Sequence, residues 1–129
     1  MHPTDPTSAE PPLTAASLAP LSALLDLLGP TEAPALLRQL VDDLHTCDRM
    51  IAEALPAEDW LDLRRASHNL TALAGTAGAT VLQYQAEELN RTAHARDRAA
   101  ALPLASKVRS DLARLVDLIR TLGKESEQK

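Results

Sequence analysis

The stretch LDLRRASHNLTALAGTAGATVLQYQAEEL, Leu61 to Leu89, carries one histidine, His68, near the middle of its first half. The spacing of its apolar residues predicts a helix over that half, in which successive side chains advance by about 100° around the axis. With His68 at the top, Leu63, Ala66, Leu70, Leu73, Ala74 and Ala77 fall on the opposite side and form the core stripe. Arg64, Arg65, Thr71 and Ala72 share the histidine's face, and Gly75 lies one turn further on. His68 is therefore expected on the solvent side, between a basic pair and a low floor over which a large partner can lie flat. It is either a chemical group or an ordinary surface residue, and periodicity alone leaves both readings open. Gly75 is open in the same way. A glycine inside a helix costs about 1 kcal/mol relative to alanine, so either the helix ends there or something must approach closely.

Working outward, a chain of 129 residues has room for one core and is read as one domain. Hydrophobic residues make up 45% of it, yet aromatics are only 2% and Phe is absent, so Leu, Ala and Val must fill the interior. Such a core points to helices packed on helices, because strands favour β-branched and aromatic residues. The formal net charge of −5 argues against a nucleic-acid duplex or an anionic membrane surface as partner. Cys47 is the single cysteine, so no intrachain disulfide can form; it falls near a buried stripe and is read as a small core residue. The N-terminus has no basic region before its leucines, and Pro20, Asp26 and Pro30 interrupt them. Neither a signal peptide nor a membrane span is expected, and the cytoplasm is the expected location.

Residues 1–16, with Pro3, Pro6, Pro11 and Pro12, read as a flexible tail, 17–123 as the helical domain, and 124–129 as a second tail. A short helix is expected at about Leu18 to Leu28, stopped by Gly29-Pro30. A longer one follows to about Leu55 with Thr31 as N-cap and Pro34 in its first turn. The histidine helix should begin near Ala57, with Glu58 and Asp59 in its first turn. Two more helices are expected, from about Ala79 to Ala93, and on to Leu122 with Gly123 as its stop. The fold class is all-α: an antiparallel up-down four-helix bundle with a short additional N-terminal helix.

Other chemistry is sparse. There is no glycine-rich phosphate loop and no spacing of metal ligands, so no metal site is expected. His2, His45 and His94 read as surface residues, and the pairs Asp42-Asp43 and Glu87-Glu88 diverge on a helix instead of converging on a substrate.

The central stretch resembles the histidine-containing phosphotransfer (HPt) domain family. Ser67-His68-Asn69-Leu70, then Gly75, then Gly78-Ala79, Leu82 and Leu89 follow the family's pattern of an active histidine, x-Leu-Lys-Gly, small residues, Gly-Ala and leucines on the next helix. Asp59-Trp60 and the run Leu63-Arg64-Arg65-Ala66 resemble the start of its active helix, and about Leu18 to Leu122 can be laid on its plan. The sequence departs from the pattern where the family commonly has Lys and then Gly, since Thr71 and Ala72 stand there. Alanine keeps the floor low, whereas loss of the lysine removes a positive charge, which Arg64 or Arg65 would have to replace.

The resemblance implies a phosphorelay intermediate. His68 would be the phosphoacceptor, taking a phosphoryl group from a receiver-domain aspartate and passing it to another receiver. Arg64, Arg65 and Thr71 are the candidates for steadying that group, and Leu61, Ala72 and Gly75 for docking the receiver. Leu61 is the telling one, because a leucine on the solvent side is explained by a partner or by contact with the short N-terminal helix. The protein would have no cofactor of its own, with Mg²⁺ supplied by the receiver, and would work as a monomer between response-regulator receiver domains and a (hybrid) histidine kinase. Three alternatives stand beside this: an adaptor that binds receivers without carrying phosphate, the dimerisation and phosphoacceptor helices of a histidine kinase, and a bundle in which His68 is incidental. Against the kinase reading, no acidic residue follows His68 and no proline follows at the usual distance.

Overall fold

The computed structural model describes residues 13–127, and the described residues are helical apart from short turns. A 3₁₀ turn, Ala15–Leu18, leads into α1 (Ala19–Ala54); α2 (Trp60–Ala77), α3 (Thr80–His94) and α4 (Arg98–Glu127) follow. Each helix packs on two neighbours, α1 and α3 both against α2 and α4, which gives the expected antiparallel four-helix bundle.

Burial follows the helical periods. On α1 the buried residues Ala33, Leu37, Leu40, Leu44, Cys47, Ile51 and Ala54 recur by alternating steps of four and three, the stripe of a helix in a bundle. Leu63, Ala66, Leu70, Ala74 and Ala77 of α2 meet it, joined by Leu82, Ala86, Leu89 and Ala93 of α3 and by Val108, Leu112, Leu115 and Ile119 of α4. Leu73, expected in the core, sits at its edge, only partly buried.

The extra N-terminal helix is present but is the first limb of α1. Gly29 (φ 87, ψ 179) breaks the helical path between 19–28 and 30–54, a backbone region open essentially to glycine alone. Leu21 and Leu25 of that limb are buried, so it closes one end of the bundle. The expected cap at Thr31 is not where the second limb begins, because Pro30 follows the kink directly and its fixed φ starts the helix.

Other boundaries move by a few residues. Glu58 and Asp59 lie before α2 and not inside it: Asp59 is its N-cap, with Oδ1 accepting from the Asp62 amide at 3.1 Å. Asp97 does the same for α4, accepting from the Ala100 amide at 3.1 Å. Gly123 does not stop α4, which continues to Glu127; its missing side chain instead admits Leu37 Cδ1, 3.3 Å from where a Cβ would stand. Helix thus occupies most of the expected C-terminal tail. At the other end, Leu13 already belongs to the folded unit, its carbonyl accepting from Arg114 Nε at 2.7 Å. The prolines of the expected N-terminal tail and His2 lie outside the described residues.

All three turns between helices are built alike. The amides of Asp59, Ala79 and Asp97 return to the carbonyls of Ala54, Ala74 and Thr92 at 2.9 Å, a six-to-one bond around one residue with positive φ. That residue is Glu58 (φ 53), Gly78 (φ 87) or Arg96 (φ 55). Among the described residues no helix is long and apolar enough to cross a membrane.

Candidate functional site

His68 is exposed in the middle of α2, while its neighbours Ala66, Ser67 and Leu70 are fully buried. Ser67 also ties its hydroxyl to the Leu63 carbonyl at 2.7 Å. The backbone beneath the imidazole is therefore fixed by the core, and only the ring projects into solvent.

A shallow depression of about 360 Å³ surrounds it, lined by Met50, Leu61, Arg64, Arg65, His68, Asn69 and Asn90. Four of the residues expected from the sequence are thus brought together: His68, Leu61, Arg64 and Arg65. Leu61 is 54% exposed. The N-terminal segment does not cover it, since that segment meets α2 at the other end, where Ser17 O lies 2.6 Å from a Cβ built on Gly78. The two arginines differ. Arg65 Nη1 is 3.5 Å from Asp62 Oδ1 on its own helix, whereas no acidic partner engages Arg64 among the described residues.

The remaining expected residues are placed differently. Thr71 donates its hydroxyl to the Ser67 carbonyl at 2.9 Å, so its one proton is already used within the helix. Ala72 is exposed and lines a second groove, between α1 and α2, which shares Met50 and Asn69 with the first. Gly75 is exposed but is not the end of the helix: α2 runs on to Ala77 and ends at Gly78, which has the left-handed backbone. A Cβ on Gly75 would stand 3.0 Å from Gln83 Nε2 and 3.3 Å from its Cδ, so the carboxamide of a residue on α3 lies across the glycine.

That contact sets the register of α2 and α3, which run antiparallel from their shared turn. Seven residues further from the turn on each helix, two turns in both, lie His68 and Asn90. Asn90 accordingly flanks the histidine as Gln83 flanks Gly75. Sequence reasoning missed Met50, Gln83 and Asn90 because they belong to other helices; the period that assigns faces within one helix carries no information about rotation between helices. Equal distance from Ala79 is the one signal in the sequence that pairs Asn90 with His68, since each lies eleven residues from it.

Elsewhere the chemistry is structural. His45 Nε2 lies 3.3 Å from Arg120 Nη2, across α1 and α4. Cys47 is buried, and burial foremost, with the nearby charge of Asp43, pushes its thiol up to about 11, far from a reactive thiolate. No group of three or more His, Cys, Asp or Glu side chains gathers as a metal site among the described residues.

Comparison with known proteins agrees with this fold. The sequence profile of the Hpt domain matches residues 35–122, from the second limb of α1 to near the end of α4. Among solved structures, the chain is similar to histidine-containing phosphotransfer protein B (HptB) from Pseudomonas aeruginosa PAO1, with a TM-score of 0.73 and 25% identity over 92% of this chain and 97% of that one. No curated protein matches the sequence. The profile covers the whole of the His68 helix and of α3, the three turns, and most of the second limb of α1 and of α4; the matched structure has the same helical bundle, and the chain belongs to the Hpt domain family, whose work is phosphotransfer in two-component signalling.

Proposed function

We propose that the protein is a phosphorelay intermediate in which His68 is the phosphoacceptor. The observation that carries this is a lone exposed imidazole on a backbone fixed by buried neighbours, centred in a depression with two guanidinium groups. A neutral imidazole is a competent nucleophile near physiological pH. Its Nε2 lone pair forms the N–P bond as the P–O bond to a receiver's aspartate breaks; the carboxylate leaves, and Nδ1 keeps its proton. The reverse step, on a second receiver, returns the imidazole. Asn90 is suited to accept from Nδ1–H and so to keep Nε2 as the nucleophile. Mg²⁺ comes with the receiver, which holds it in its own acidic pocket, and the partners are response-regulator receivers and a histidine kinase, in the cytoplasm.

Arg64 takes the part of the family's lysine, since Arg65 is engaged with Asp62 and Thr71 with Ser67. Charge and donor both match a phosphoryl oxygen. The closed single-chain bundle weighs for a relay over the helices of a dimerising kinase. One observation favours a second reading, an adaptor that only binds receivers: where the family has lysine, this chain has a hydroxyl already in use.

The test is to incubate the protein and its His68→Gln variant with a panel of phosphorylated receiver domains and Mg²⁺. Acid-labile, alkali-stable phosphate on the wild type alone is the expected result. Binding without label on either protein would instead make it the adaptor.

A further inference from the structure

Gly75 is a costly residue in its place. It lies inside α2, one turn before the helix's own terminator, and it is exposed, so no neighbouring backbone needs the room. What fills the missing side chain's space is the Gln83 carboxamide, at 3.0 Å from the position a Cβ would take. Ala72, between Gly75 and His68 on the same face, keeps the ridge of α2 low for two turns. Beyond it the carboxamide lies over the glycine, with Nε2, Cδ and Oε1 at 3.0, 3.3 and 3.5 Å from the position of the absent Cβ.

We infer that Gln83 is a docking residue of the receiver surface: laid over Gly75, its carboxamide offers a partner centred on His68 a donor and an acceptor two turns away. The inference rests on the relay reading and extends its docking surface onto α3. The distance fits. Seven residues of helix separate His68 from Gly75 by about 10 Å, and an ordinary interface of about 800 Å² per partner reaches about 16 Å from its centre. A receiver lying over His68 therefore covers this group. A glycine at position 75 then has a double use, since any side chain there would both stand up under the partner and push the carboxamide away.

The experiment measures affinity for the receiver domain that labels the wild type, using Gln83→Ala and Gly75→Ala, with thermal unfolding and labelling of His68 by phosphoramidate as controls. Loss of one hydrogen-bonding group predicts affinity lower by about fivefold for Gln83→Ala, with labelling by the small donor unchanged. Gly75→Ala should separate the effects more sharply: an alanine favours the helix, so the protein unfolds no earlier than wild type, yet it binds the receiver more weakly. Affinities within twofold of wild type for both variants overturn the inference and leave the relay intact. A loss of affinity that only follows a lower unfolding temperature also overturns it, marking Gln83 as structural. If no receiver labels or binds the wild type, the relay reading itself has failed and this one falls with it.

Discussion

Arg64 and Arg65 are adjacent in sequence and unequal in the structure. Both are exposed, but Arg65 reaches Asp62 on its own helix and Arg64 reaches nothing acidic among the described residues. An exposed pair of this kind contributes little to stability, so neither arginine is there for the fold. We predict that Arg64→Ala slows transfer from a receiver about tenfold, the size of one charge-assisted hydrogen bond to a phosphoryl oxygen, while Arg65→Ala changes it by less than about twofold. Stopped-flow transfer rates check both. Cys47 gives a residue-scale prediction about stability. Its thiol is raised from the ordinary 9.0 to about 11, so between those values the unfolded chain loses the proton and the folded one keeps it. The folded state then binds more protons, and stability falls as pH rises from about 9 to 11. Urea unfolding across that range should show the decline, and Cys47→Ala should show less of it. At this scale the sequence reveals the face of His68, because spacing within one helix is enough. It does not reveal Met50, Gln83 or Asn90, nor that Thr71 turns inward to the Ser67 carbonyl in preference to solvent.

At the scale of elements, three turns of one design join four helices, and only the middle one uses glycine. Gly78 needs to be glycine for two reasons: its φ is 87°, and a Cβ would sit 2.6 Å from the Ser17 carbonyl oxygen. Gly78→Ala should cost about 2–4 kcal/mol, from the left-handed backbone plus the clash. Arg96, at φ 55 in the turn before α4, has the opposite sign. Arg96→Gly relieves a left-handed arginine and should stabilise by about 0.5–1 kcal/mol. Equilibrium denaturation with an unchanged m-value measures both. These turns also explain where the sequence misleads. Glycine and proline mark Gly29-Pro30 and Gly78 correctly, but Glu58 and Arg96 carry no such mark, so the start of α2 is expected too early. Gly123 carries the mark and stops nothing, since its role is room for Leu37.

Across the whole molecule, buried leucines and alanines at alternating steps of three and four close the core without help from aromatics, and every helix touches two others. That pattern is visible in the sequence, which is why the bundle is legible there while the rotation of one helix against another is not. On the relay proposed above, the consequence for function is a division of labour: the core fixes the backbone of α2, and α2 would present His68 to a partner bringing the phosphoryl group and the metal. Because the ring lies outside the core, His68→Gln should unfold at the wild-type temperature, so loss of phosphate in that variant reports chemistry alone. The most direct test labels histidine nitrogens with ¹⁵N, phosphorylates the protein from a receiver, and reads the ³¹P–¹⁵N coupling. A single phosphohistidine, at Nε2 of His68, is the expected result; a phosphate on His45 or His94, or a stable receiver complex with no phosphohistidine, would rule the relay out.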